Sequence, residues 1–157
     1  MKKIKLISII LTVVVLICNL GITVFADNEV CTSEVIEFFD DGSYAVITIT
    51  ETSNNTKATT KTGSKKYTYK NSEGDTQWEY IVTGTFSYNY GVSSTCTNVS
   101  DSYSIVNDNW HMYSHSCYKS GNTAYGNVTM KYKVFGFTTD TVKASPTLTC
   151  NIYGVLS

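Results

Sequence analysis

The chain has 157 residues, with twelve lysines and no arginine against thirteen acidic residues, for a formal net charge of −1. That balance excludes a phosphate-tracking partner, because nucleic-acid binding needs a basic face and usually arginine forks. A chain of this size needs only one hydrophobic core.

The N-terminus reads as a targeting segment. Lys2, Lys3 and Lys5 precede a nearly unbroken apolar stretch from Leu6 to Val24, and Val24-Phe25-Ala26 sets small or branched residues where a signal peptidase reads positions −3 and −1. The expectation is a signal-peptide helix over 1–26, cleaved between Ala26 and Asp27, followed by one domain over 27–157. An uncleaved anchor is the alternative, since a span takes roughly 20 apolar residues. Cys18 raises a lipoprotein reading, but Ile17 before it is not the small residue such processing needs. Cleavage removes three lysines, leaving nine against thirteen acidic residues and a net charge of −4. This suits solubility. The chain closes with Tyr153-Gly154-Val155-Leu156-Ser157, without an apolar tail. The expected location is therefore extracellular, with no stable membrane anchor after cleavage.

Thr and Ser supply 37 of the 131 residues after Ala26, β-branched and aromatic residues dominate the rest, and only Leu148 and Leu156 remain as leucines. No window carries apolar residues at i, i+3, i+4 and i+7 over three turns. The expected fold is all-β, an antiparallel β-sandwich with no helix after the signal. Strands are expected near 34–39, 43–51, 65–70, 76–89, 92–98, 102–106, 110–118, 123–134 and 138–152. Turn chemistry at Asp41-Gly42, Asn71 to Asp75, Ser120-Gly121-Asn122 and Phe135-Gly136-Phe137 separates several of them. Thr52 to Ser64, polar except for Ala58, reads as a long loop. In 76–88 the residues Trp78, Tyr80, Val82, Phe86 and Tyr88 share one face, and in 125–134 Gly126, Val128, Met130, Tyr132 and Val134 do the same. One buried and one solvated face is the antiparallel pattern. Pro146 cannot donate to a ladder, so its place in the last strand should be an edge or a bulge.

Four cysteines remain after the signal, an even number that suits an oxidising compartment and allows three pairings. Cys150 shares its strand face with Val142, Ala144, Leu148 and Ile152 and so points inward, and Cys96 shares its parity with Val92. The expected bridges are Cys96 to Cys150 in the core and Cys31 to Cys117 at the periphery, each contributing about 2–4 kcal/mol.

Chemistry-bearing residues are few. His111, Tyr113, His115 and Cys117 have one parity, but the histidines would stand about 13 Å apart on a flat strand, too far to share an ion. No metal or other cofactor is expected, and the histidines are read onto the solvated face opposite Trp110 and Met112. For Trp110 and Met112 to share a face with Val128 and Met130, the hairpin needs an odd loop or a bulge. Asp40 and Asp41 suit a turn. Glu73, Asp75 and Glu79 carry no mark of a glycosidase pair, and Gly91-Val92-Ser93-Ser94 is no nucleophile elbow. The expectation is a protein that is not an enzyme and has no catalytic residues. The sequons at Asn54, Asn98 and Asn127 read as chance matches.

Aromatic residues are the stronger hint, since exposed flat rings with polar tips are what binding surfaces use. Tyr90, Tyr125, Tyr153 and the tip Phe135-Gly136-Phe137 are not absorbed by the core pattern. Of these, Tyr125, Phe135, Phe137 and Tyr153 are the candidate surface contacts.

Several pieces resemble a group of small secreted β proteins of Gram-positive bacteria that carry no known function: Asp41-Gly42-Ser43-Tyr44, the stretch from Lys61-Thr62-Gly63-Ser64-Lys65 to Tyr69, Trp78 followed by Val82 to Phe86, Thr95-Cys96-Thr97, Lys119 to Asn122, and Leu148-Thr149-Cys150 through Leu156-Ser157. The resemblance spans nearly the whole chain after Ala26. It implies a Cys96–Cys150 pairing and supplies no active site. Tyr90 to Ser94 also resembles a five-residue stretch of secreted β-sandwich bacteriocins. The reading is thus a secreted, non-enzymatic binding domain with an extracellular or cell-wall ligand, and a bacteriocin-like or toxin-like protein is the alternative. Exposed edge strands would allow self-association.

Overall fold

The computed structural model describes residues 29–52 and 59–157. The expected signal helix, its cleavage point at Ala26 and Asp27, and the middle of the expected loop lie outside the described residues. Nine strands follow in chain order: β1 (Glu29–Phe38), β2 (Tyr44–Thr52), β3 (Thr60–Lys70), β4 (Thr76–Asn89), β5 (Ser93–Ile105), β6 (Trp110–Ser120), β7 (Thr123–Val134), β8 (Phe137–Ala144) and β9 (Thr147–Thr149). All pairings are antiparallel. β1 to β5 form a five-stranded meander, and β6-β7-β8 form a second sheet in which β9 pairs with the start of β7. Among the described residues there is no helix, as composition and periodicity implied.

The period-2 patterns bury as expected except toward the strand ends, where Tyr88 and Tyr132 are half-buried and Val134 is exposed. On β4 the side chains of Trp78, Tyr80, Val82 and Phe86 are fully buried, and on β7 those of Ala124, Val128 and Met130 are buried with them. One cluster joins Ala45, Ile47, Tyr67 and Trp78 of the first sheet to Trp110, Met130 and Val142 of the second. A second joins Val82, Phe86 and Cys96 to Ala124, Leu148 and Cys150. The two inner faces therefore enclose one β-sandwich-like core, each fully buried large side chain adding roughly 1.5–3 kcal/mol of transfer energy. Three glycines serve this contact by absence of a side chain. A Cβ at Gly126 would stand 2.8 Å from the Tyr80 ring and 3.2 Å from Val82 Cβ, and Gly63 and Gly84 are equally closed by Leu156 and Phe86.

Strand limits differ from expectation at β1, which begins at Glu29 rather than near 34, at the expected strand 138–152, which divides into β8 and β9, and at β5 and β3. β5 is one strand of 13 residues where two were expected, because the ladder runs unbroken through Asn98 to Asp101 opposite Val82 to Thr85. Ser100, Ser102 and Ser104 alternate with Val99, Asp101, Tyr103 and Ile105, so a serine-rich stretch that resembles a turn is the solvated face of a strand. β3 begins at Thr60, so Thr60 to Ser64 belong to a ladder with β4 rather than to the loop. Pro146 falls where its missing donor demanded: it interrupts the last strand between β8 and β9, and its carbonyl accepts from Gly126 N–H at 2.9 Å.

Neither expected disulfide is present, and Cys31, Cys96, Cys117 and Cys150 are free thiols. Cys31 lies on β1, at the far edge of the first sheet from β5, whereas Cys117 lies on β6 beside β5. Four strand spacings of about 4.8 Å separate those edges, well beyond bridging reach. Cys96 and Cys150 do enter the same buried cluster. Each sulfur is turned to a carbonyl of its own segment, Cys96 to Asn98 O at 3.2 Å and Cys150 to Asn151 O at 3.6 Å.

Gly126→Ala is expected to destabilise the fold by about 1–3 kcal/mol through overpacking against Tyr80 and Val82. Urea unfolding of variant and wild type checks this, and an unchanged midpoint would show that Tyr80 yields freely.

Candidate functional site

The histidine strand resolves first. β6 and β7 are joined by the two-residue turn Gly121-Asn122, and their register shifts between Met112 and Ser114. The bulge at Tyr113 meets the requirement derived from parity. Before it, Trp110 and Met112 face the core opposite Tyr132 and Met130, while His111 faces solvent opposite Lys131. After it the faces exchange, and His115 and Cys117 oppose Val128 and Gly126. His115 thus takes the inner-face parity rather than the solvated one expected, yet at the sheet edge its side chain stays 42% exposed. Tyr113, thrown outward by the bulge, receives the Lys131 ammonium 3.4 Å from its ring centroid.

His115 meets the edge strand β5. Its Nδ1 lies 2.8 Å from Asp101 Oδ2, which also accepts from the Tyr80 hydroxyl at 2.8 Å, and the Tyr103 ring covers the imidazole at 5.4 Å. Burial raises the Asp101 carboxyl, but hydrogen bonds from His115 and Tyr80 outweigh it and hold the group below its ordinary value. Burial and Asp101 push the Cys117 thiol up. A cysteine nucleophile needs the opposite shift. The cluster acts as a clasp between β5 and β6, with Asp101 as its shared acceptor.

The four candidate contact residues do not form one surface. In a meander the odd-numbered connections share one end, so Phe135 and Phe137, at the tip between β7 and β8, stand at the end that also carries the turns after β1, β3 and β5. Their rings are 97% and 76% exposed, and Phe135 holds φ at +49° before Gly136 at +82°. Tyr153 lies at the opposite end, edge-on to Tyr90 at 5.3 Å, with the two turns tied by Gly91 N–H to Ile152 O. Tyr125 is on the outer face of the second sheet, stacked on Tyr118 at 4.7 Å and 3°.

The end that carries Phe135 and Phe137 also holds a cleft that the sequence did not reveal. Its larger hollow has a volume of about 400 Å³, within the roughly 300–1,000 Å³ of ligand sites. Tyr69, Trp110 and Tyr132 form its apolar floor; Trp110 is edge-on to both tyrosines at 5.2 and 5.3 Å. Polar groups on the wall hold one another. Asp41 Oδ1 accepts the Ser43 N–H at 2.9 Å and the Ser43 hydroxyl at 2.5 Å, and Ser43 in turn accepts from the Tyr69 hydroxyl at 2.7 Å. These Ser43 bonds lower the Asp41 pKa. Opposite, Asn107 donates to Gln77 Oε1 at 2.7 Å, Gln77 donates to Asp75 O at 3.1 Å, and Asn71 Oδ1 accepts two N–H groups of its own turn. A second hollow of about 310 Å³ adjoins the first and shares Asp41, Tyr69 and Asp140 with it. In the sequence Asp41 carries only a turn signal, and Gln77, which the fold buries, falls on the strand face opposite Trp78 and Tyr80. The available signal was the alternation of connections, which puts Asp41, Asn71 and Asn107 at one end of the molecule.

No protein-family model matches the chain, and no curated protein or solved structure matches it.

Asp101→Asn is expected to lower unfolding free energy by about 1–3 kcal/mol at pH 7, the weight of hydrogen bonds to a charged acceptor. The folded carboxyl sits below its unfolded value of about 3.9, so its contribution is present above that pH and is lost as pH falls through the lower folded value. Urea midpoints at pH 7, 5, 3 and 2 should therefore converge at the acid end. A gap between variant and wild type that persisted in full at pH 2 would contradict the clasp.

Proposed function

We propose that the protein is a secreted, non-enzymatic binding domain acting at the cell surface or in the surrounding medium, and that it binds through the end bearing the cleft. The observation that carries this reading is the coincidence, at one end, of a preformed aromatic-floored cleft and an apolar tip raised into solvent. Binding sites gather on connections held by a rigid scaffold, and here the scaffold is two antiparallel sheets with their shared core. The side chains around the cleft are fixed by hydrogen bonds before any ligand arrives, which lowers the ordering cost of binding. The lysine-led apolar segment ending at Ala26 supports export.

One observation favours the second reading, a bacteriocin-like or toxin-like protein. Two phenylalanines at 97% and 76% exposure on a turn are an uncommon use of apolar surface, and they suit insertion into a lipid interface.

Purified protein added to intact cells and isolated cell walls, with a viability count on the same samples, separates the two. Saturable binding without death is expected. Phe135→Ser with Phe137→Ser should then weaken wall binding no more than severalfold, because the tip flanks the cleft. Death that the double substitution abolishes would support the toxin, and neither binding nor death would overturn both.

A further inference from the structure

We propose that the cleft takes a neutral, hydroxyl-bearing glycan chain, laid across Asp41 and Asp140 with one sugar unit in each of the two adjoining hollows. The inference deepens the binding-domain reading and rests on it.

The charge of the walls sets the first limit. Among the described residues that line the two hollows there are carboxylates and no lysine or histidine. An anionic ligand would meet repulsion with nothing to offset it.

The hydrogen-bonding inventory sets the second. Asp41 uses Oδ1 for Ser43, and Asp140 uses Oδ1 for the Thr141 N–H at 2.6 Å, so each of these two keeps Oδ2 without a partner among the described residues, and Asp40 adds a third carboxylate to the smaller hollow. An ionised carboxylate only accepts. The amides of Gln77, Asn107 and Asn71 have their oxygens and one N–H each committed to one another or to their own turns, which leaves one N–H apiece. What the two hollows leave open is therefore mainly carboxylate acceptors with a few amide N–H donors, and a ligand that fits must bring donors first and acceptors with them. Sugar hydroxyls do so without adding charge.

Shape sets the third. Asp41, Tyr69 and Asp140 belong to both hollows and form the saddle between them, so an occupant reaching both must be longer than one unit. On the larger side the half-buried Tyr132 offers an apolar ring beside those acceptors, and the Tyr69 and Trp110 rings complete the floor. An apolar ring beside polar acceptors matches a pyranose, whose C–H face is apolar and whose rim carries hydroxyls.

The test is calorimetric titration of the purified protein with cello-, malto-, xylo- and chito-tetraose, each with its monosaccharide, and with spermidine as a cationic probe. The fluorescence of the Trp78–Trp110 pair is read in parallel. At least one tetraose should bind at least tenfold more tightly than its monosaccharide. Asp140→Ala, whose side chain among the described residues hydrogen-bonds only to its neighbouring N–H, should weaken that binding roughly ten- to hundredfold, as expected for a lost hydrogen bond to a charged acceptor, with the unfolding midpoint unchanged. Tyr132→Ala should weaken it as well. Binding of no tetraose, binding of spermidine in preference to all of them, or tetraose binding indifferent to Asp140→Ala would each overturn the proposal. Saturable wall binding that neither soluble tetraose nor Asp140→Ala disturbs would overturn the glycan while leaving the binding domain standing. Tetraose binding by a protein that ignores walls and cells would do the reverse.

Discussion

The indole of Trp78 is the contact on which the cleft-bearing half of the molecule depends. It lies between Tyr67 at 5.3 Å and Tyr69 at 5.5 Å in nearly parallel stacks, and it touches Trp110 of the opposite sheet at 6.1 Å. Through Trp110 the contact reaches Tyr132, so a line of five rings crosses from the first sheet to the second and ends in the floor of the cleft. Aromatic pairs of this kind add about 0.5–1.5 kcal/mol each beyond the area they bury. The arrangement has a cost, because Trp78 Nε1 and the Tyr67 hydroxyl are buried with no hydrogen-bond partner. Such groups forfeit about 1–3 kcal/mol apiece. The rings are rigid, and the cleft inherits that rigidity.

The second constraint is where the two sheets meet at their edges. β5 and β6 are consecutive but do not pair, and the gap between them is closed by side chains instead of a ladder. The bulge at Tyr113 makes this closure possible, since it turns His115 and Cys117 toward Asp101 while leaving Trp110 in the core. A single extra residue thus sets both the clasp and the cleft floor. On the opposite side, β1 remains an open edge with Val30, Val35, Ile36 and Phe38 exposed.

Much of this arrangement was legible from residues alone. Alternation on β4 and β7 identified Trp78, Tyr80, Phe86, Val128 and Met130 as core because a half-buried strand writes its burial with period 2. The conflict between the parity of Trp110 and that of Val128 required an irregularity, and the bulge supplies it. Ser100 misled because serine serves equally in a turn and on the wet face of a strand. Cysteine pairing was out of reach for a different reason: it depends on the order of strands across the sheets, which parity does not encode. The cleft is illegible for the same reason, since Asp41, Gln77, Asn107 and Asp140 come from four separate parts of the chain.

The central claim is that recognition belongs to the end built on Trp110 and Tyr132. Amide hydrogen exchange of the protein, alone and with solubilised cell-wall fragments, measures this directly. The account predicts protection confined to the turns around Asp41, Ser72 and Asn107 and to the strand segment around Asp140. Protection centred on Tyr90 and Tyr153 at the other end, or on the outer face at Tyr118 and Tyr125, would contradict it.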